Sequence, residues 1–115
     1  MAKRSFAHVF IGYLDEKPAG LAICFEAFST FACKPLLNIH DFAVHPAFRR
    51  KGVGSSMMFY IEQYAKSQLQ ACKLTLEVLS GNHPAKATYK AVGFEPYELD
   101  PEAGHAEFWQ KKIIY

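Results

Sequence analysis

The sequence predicts a mixed α/β (α+β) fold built on one central sheet. Three observations carry that prediction. Short runs of β-branched and aromatic residues, punctuated by turn residues, fill the first forty-odd positions. At Val53 the apolar period lengthens to the ~3.6 residues of a helix. Alternation returns at Lys73, so a helix links two strands, and such a crossover makes them parallel neighbours.

The elements follow in order. His8 to Leu14 (HVFIGYL) reads as a strand, and DEKPAG, with Asp15, Pro18 and Gly20, reads as a turn. Leu21 to Ser29 (LAICFEAFS) is a second strand, so the two form a hairpin. After the connection TFACKP, Leu36 to Val44 (LLNIHDFAV) is a third strand with Asn38, His40 and Asp41 embedded in it. Pro46 ends that strand. From Val53 to Leu69, Val53, Met57, Ile61, Tyr64 and Gln68 share one stripe, flanked by Met58, Ala65 and Leu69. Glu62, Gln63 and Lys66 take the opposite side, which makes the segment an amphipathic helix.

Lys73 to Leu79 alternates as a strand, and SGNHP breaks the chain. Ala85 to Val92 is a short helix with Gly93 as its C-terminal stop. FEPYEL is a short strand, DPEAG turns, and HAEFWQKKIIY is a last strand. The order β-β-β-α-β-α-β-β gives a hairpin, a βαβ crossover, and a C-terminal helix plus strands.

Composition narrows the function. The 115 residues fit a single domain spanning 1–115, and half of them are apolar. The formal charge is +2, from 13 cations against 11 anions, which is not the strongly basic balance of a nucleic-acid binder. Cys24, Cys33 and Cys72 are odd in number and widely spaced, so no disulfide framework is expected and a cytoplasmic setting follows. Lys3 and Arg4 precede an apolar stretch, but His8 interrupts it and Asp15 and Glu16 follow, so neither a signal peptide nor a membrane association is expected. No apolar run approaches the ~20 residues of a membrane span. His8, His45, His83 and His105 match no zinc spacing, and no metal is expected. Glu26, on the hairpin, reads as an exposed strand carboxylate, with charge supplied to a substrate site as the other reading.

The cations do cluster, at Arg49, Arg50 and Lys51, just before Gly52-Val53-Gly54. This run follows a strand and opens a helix. The first helical turn carries unpaired N–H groups and a partial positive charge. Two residues without Cβ let a bulky ligand approach those groups. The combination suits a phosphate or diphosphate. Neither the Walker A spacing nor G-x-G-x-x-G is present, because Met57 stands where the third Gly would fall.

VHPAFRRKGVGSSM resembles the GNAT superfamily signature V-x-P-x-x-[RQ]-x-x-G-[IV]-[GA], through Val44, Pro46, Arg49, Gly52 and Gly54. NHPAKATYKAVGF is similar to the same family's N-x-x-A-x-x-x-Y-x-x-x-G-F, through Asn82, Ala85, Tyr89, Gly93 and Phe94. Two motifs in order, on the expected elements, are far more specific than either alone. The resemblance implies an N-acetyltransferase that takes acetyl-CoA as co-substrate and a primary amine of a small molecule or protein as acceptor. It further implies that Phe42, Ala43 and Val44 present backbone to the pantetheine arm, on a strand that splays from its parallel neighbour. Arg50, Lys51, Gly52, Val53, Gly54 and Ser55, with Arg49, would hold the diphosphate. Tyr89 would protonate the leaving sulfur. Asn82 and Ala85 would meet the CoA arm, with Ser80 or Asn82 as a plain helix cap being the other reading.

LLNIHDFAV also resembles the L-x-x-E-D-x-x-V of the spermidine/spermine N-acetyltransferase branch. His40 stands where that branch has Glu, while Asp41 is kept. A neutral imidazole can accept a proton from an ammonium, yet it lacks the fixed negative charge that draws a polyamine. His40, Asp41 or water can be the base. Neighbouring strand residues face opposite sides, so His40 and Asp41 share one face only if the strand bulges.

The family begins with a strand and two helices, whereas only MAKRSFA precedes the hairpin here. A bare sheet face and edge favour self-association, so a homodimer is expected. Two rivals stand beside acetyl transfer. One is a non-catalytic CoA-binding module of the same fold, and the other is an unrelated phosphate-binding or nucleic-acid domain using Arg49 to Lys51.

Overall fold

The computed structural model describes residues 6–29, 34–96, 102, 107 and 109–114. β1 (Ala7–Leu14) and β2 (Lys17–Ser29) form the expected antiparallel hairpin. Its turn is tighter than DEKPAG suggested. Asp15 and Glu16 alone connect the strands, with φ of 50° and 65°. Two successive left-handed residues match the twist of the flanking strands, which is what a two-residue hairpin needs. Lys17 to Gly20 therefore belong to β2. Pro18 is tolerated because it lies at the start of the strand, beside a register shift at Gly12/Tyr13.

β3 (Lys34–Val44) pairs antiparallel with β2, and β4 (Leu74–Leu76) pairs parallel with β3. The sheet order is β1-β2-β3-β4, with α1 (Val53–Gln68) as the crossover between β3 and β4. β4 is three residues long, where alternation predicted a strand from Lys73 to Leu79. A strand needs a ladder, and the ladder ends at Ile39 and Leu76 because the two strands part there.

α2 (His83–Ala91) starts two residues before the predicted Ala85, since Pro84 suits a first turn and Asn82 caps it, accepting from the Ala85 N–H at 3.3 Å. It ends as expected at Gly93, whose φ is 104°. Phe94 N–H reaches the Tyr89 carbonyl at 2.9 Å and Gly93 N–H the Lys90 carbonyl at 3.1 Å, the paired bonds of a Schellman stop. Neither expected C-terminal strand is present among the described residues. Phe94 to Pro96 carry no strand, and the remainder of FEPYEL lies outside the described residues. Of HAEFWQKKIIY, residues 107 and 109–114 are described and form none, with Trp109, Ile113 and Ile114 exposed.

The core lies between one sheet face and α1. Ala19, Ala22, Cys24, Leu37 and Ile39 from the sheet meet Val53, Met57, Met58, Ile61 and Ala65 from the helix. The predicted stripe is right except at Gln68, which is exposed. Met57 crosses directly over the paired glycines Gly12 and Gly20. A Cβ on either would lie 2.8 Å or 2.5 Å from the Met57 sulfur, so their smallness lets the helix sit this close.

Glu26 is a further correction. Its side chain is 6% exposed, under α1, and its Oε2 lies 2.8 Å from His8 Nε2. The Tyr64 hydroxyl, from α1, reaches His8 Nδ1 at 3.2 Å. Tyr64 also packs edge-on against Phe10, at 5.2 Å between centroids. Strand alternation places Glu26 on the same face as the buried Cys24, and a carboxylate there is held by hydrogen bonds rather than by water.

Candidate active site

The site begins where β3 and β4 separate. Leu37, Asn38 and Ile39 pair with Leu74, Thr75 and Leu76, and no later β3 residue has a β4 partner. Asn38 Nδ2 donates to Thr75 Oγ1 at 2.9 Å, which ties the strands just before they part. Phe42, Ala43 and Val44 remain paired to β2 on one side, opposite Ala22, Leu21 and Gly20. Their other edge faces the gap left by β4.

A bulge falls at this point. β2 pairing passes from Cys24–Ile39 to Ile23–Asp41, so His40 is the extra residue. Ile39 is buried under α1, and Phe42 lies under Gly54 at the start of α1. The extra residue therefore puts both His40 and Asp41 on the sheet face away from the helix, and both are exposed. Phe25 of β2 stands beside them, with its ring 5.5 Å from the His40 ring and nearly perpendicular to it.

The loop after β3 turns through a short 3-10 segment, Pro46–Phe48, capped by His45 Nδ1 accepting from Ala47 N–H at 3.1 Å. Arg49 Nε donates to the Val44 carbonyl at 3.2 Å and ties the loop to the strand end. Arg50 is left-handed, with φ of 64°. The Lys51 ammonium lies 6.0 Å from the Phe48 ring centre. Gly52 caps α1 with φ of 81° and no side-chain bond, so a residue with Cβ would be strained there.

The helix then starts with free approach. Ser56 N–H donates to the Gly52 carbonyl at 3.0 Å, so Val53, Gly54 and Ser55 N–H precede the intrahelical ladder. The first turn contains no acidic residue. A Cβ on Gly52 would meet nothing within 4 Å, and one on Gly54 would touch Val44 and Phe42 at ordinary distances of 3.6 and 3.8 Å. A side chain at Gly52 would thus enter open space, and the helix start carries a partial positive charge. These features fit the diphosphate of CoA.

Tyr89 lines a groove of about 1170 Å³ between α1, β4 and α2, together with Met58, Glu62, Leu76, Val78 and Lys86. Burial pushes its phenol above the ordinary value of 10.0, so it keeps its proton at neutral pH. Asn82 and Ala85 lie at the first turn of α2, bonded to each other as cap and donor. The positions that sequence reasoning missed are Phe25, beside His40, and the groove wall of Met58 and Glu62. Alternation from buried Cys24 puts Phe25 on the opposite face, but the bulge that brings His40 to it leaves no mark in composition. Among the described residues, no three His, Cys, Asp or Glu side chains gather as a metal-holding group. No helix of the described residues is long and apolar enough to cross a membrane.

A parallel pair that splays beside the glycine-flanked start of α1 defines a mixed α/β domain. Comparison with known proteins makes this specific. Residues 1–94 match the model of the acetyltransferase (GNAT) family, and the chain belongs to that family. It is 30% identical over 87 residues to a thialysine N-epsilon-acetyltransferase of Caenorhabditis elegans, covering 76% of this chain and 53% of that protein. Streptothricin acetyltransferase of Streptomyces lavendulae is 37% identical over 76 residues, covering 66% of this chain and 40% of its own. The chain thus spans about half, or less, of the length of these relatives. An aminoglycoside N-acetyltransferase solved with CoA superimposes with a TM-score of 0.75 at 18% identity, over 96% of this chain and 79% of its own. That likeness concerns the fold.

Proposed function

We propose that the protein is an acetyl-CoA-dependent N-acetyltransferase acting on a primary amine. The observation that carries this reading is the coincidence of three features at one place. β3 and β4 part after Ile39, both members of the His40-Asp41 bulge lie beside the gap, and α1 opens its amides at Gly52 to Ser55 next to it.

Acetyl-CoA supplies an activated acetyl thioester. Val53, Gly54 and Ser55 N–H, with Arg50 and Lys51, hold its diphosphate, and Arg49 keeps the loop docked on β3. Phe42, Ala43 and Val44 offer backbone groups on their open edge to the carrier arm and the thioester carbonyl. Asn82 and Ala85 border the same arm from α2. His40 takes a proton from the incoming ammonium, directly or through water, while Asp41 attracts its charge. As the carbon–nitrogen bond forms and the carbon–sulfur bond breaks, Tyr89 gives its proton to the sulfur, and the amine's surplus proton replaces it through solvent.

The reading includes a cytoplasmic protein, in keeping with an odd, scattered set of cysteines. It also includes a homodimer through β1, whose outer edge has no partner in the described sheet and whose Val9, Ile11 and Tyr13 are exposed. Calorimetry with acetyl-CoA, followed by thiol release in the presence of primary amines, tests the activity. Micromolar binding and amine-dependent release are expected. No affinity for the carrier, or carrier binding without transfer to any amine, overturns it. Light scattering at micromolar concentrations tests the dimer, and a monomer mass overturns that part.

A further inference from the structure

We propose that His45 is a positioning residue for the carrier: acting through the Phe48 ring, it holds the Lys51 ammonium ready for the diphosphate of acetyl-CoA. The inference rests on the acetyltransferase reading and deepens it. Its basis is a row of three side chains along the loop between β3 and α1. The His45 and Phe48 rings lie 5.7 Å apart, tilted by 58°, and the Lys51 ammonium lies 6.0 Å from the centre of the Phe48 ring. Lys51 immediately precedes Gly52, the cap of α1. His45 and Phe48 fill places that the signature V-x-P-x-x-[RQ]-x-x-G leaves open, so the row belongs to this chain rather than to the motif.

Each member is fixed by the one before it. The His45 N–H donates to the Ala19 carbonyl of β2 at 2.7 Å, and its carbonyl accepts from Phe48 N–H at 2.9 Å. Its ring is then oriented by Nδ1, which accepts from Ala47 N–H at 3.1 Å. A backbone N–H only donates, so Nδ1 is the unprotonated nitrogen of that ring. Phe48 is half-buried and packs on the core, with the imidazole as a further neighbour. An ammonium near an aromatic face is attracted by the ring's quadrupole. The Lys51 stem is flexible, and this contact narrows the positions its charge explores before the ligand arrives. Binding then has less side-chain freedom to remove, which favours affinity without adding a contact. A cap for the 3-10 turn alone would need only an acceptor at position 45. Asparagine supplies one and lacks the ring, so the two roles separate.

The test measures the Kd for CoA by calorimetry in the wild type, His45→Asn, Phe48→Leu and Lys51→Met, and in Lys51→Met combined with each of the other two. Phe48→Leu keeps an apolar plug against the core and removes the aromatic face. His45→Asn and Phe48→Leu should each weaken CoA binding about threefold, the scale of an exposed cation–ring contact. Lys51→Met should weaken it about tenfold, and neither double variant should be weaker than Lys51→Met alone, because groups acting through one another do not add. In turnover, the loss from His45→Asn should fall on the KM for acetyl-CoA rather than on kcat. Wild-type CoA affinity in His45→Asn, or in Lys51→Met, overturns this inference and leaves acetyl transfer standing. So does a double variant about thirtyfold weaker than wild type, since full additivity means that His45 acts on the loop without Lys51. No affinity of the wild type for CoA overturns the acetyltransferase reading and this inference with it.

Discussion

Ile39 faces Leu76 as the last pair of the parallel β3–β4 ladder, and the next residue, His40, drops out of register with β2. The end of one ladder and the slip of the other coincide within a single residue. The parallel strands open a gap while the slip turns two polar side chains to its rim. The candidate chemistry follows from that coincidence.

The open front of α1 predicts how its glycines respond. Gly54→Val should lower CoA affinity at least tenfold in calorimetry with little change in thermal stability, because its Cβ has ordinary contacts at 3.6 Å and its added bulk occupies the ligand's approach. Gly52→Val should lower both. A left-handed residue with a β-branched side chain costs about 1–2 kcal/mol, and the φ of 81° leaves no alternative without moving the cap.

Tyr89→Phe should reduce kcat about 10²-fold or more, the usual contribution of a positioned proton donor, while the Kd for CoA stays the same. A binding module without turnover would show no such loss. The phenol also has a pH signature. Burial raises its pKa in the folded state, so the protonated form is favoured there. Stability is then unaffected below the ordinary value of 10.0 and falls as pH rises from that value through the folded one. Chemical denaturation at pH 9 and above 10 should show this fall in the wild type and a smaller one in Tyr89→Phe.

His8→Leu should destabilise the fold by about 1–3 kcal/mol, since it removes a hydrogen bond from a buried carboxylate. His8 links Glu26 of β2 to Tyr64 of α1, at 2.8 and 3.2 Å. Denaturation should register the loss, and the KM for acetyl-CoA should not move. A large change in that KM would tie the cluster to the site.

Of the described cysteines, Cys72 is exposed and Cys24 is buried, with its thiol pushed up to about 11 by burial. Iodoacetamide at pH 8 on native protein should modify Cys72 rapidly and spare Cys24, because the thiolate is the reactive form. Mass mapping of the modified peptides checks this, and rapid labelling of Cys24 would contradict its buried placement.

The hairpin, the third strand, the crossover helix and the loop that opens it were legible in local patterns. Each rests on a local cause: alternation, a 3.6-residue stripe, a proline stop, or glycine where φ is positive. The two motifs, Val44 to Gly54 and Asn82 to Phe94, announced the family for the same reason, since each is one continuous stretch. Features that depend on partners distant in the chain emerge only in the folded molecule. β4 ends at Leu76 because β3 leaves it, not because its alternation stops. Glu26 is buried because His8 and α1 meet it. His40 and Asp41 share a face because two residues of β3 stand against one step of β2. Trp109, Ile113 and Ile114 have the pattern of a strand, yet they are exposed and join no ladder among the described residues. Periodicity records which side of an element is apolar, whereas register and pairing are properties of two segments at once, and no single segment encodes them.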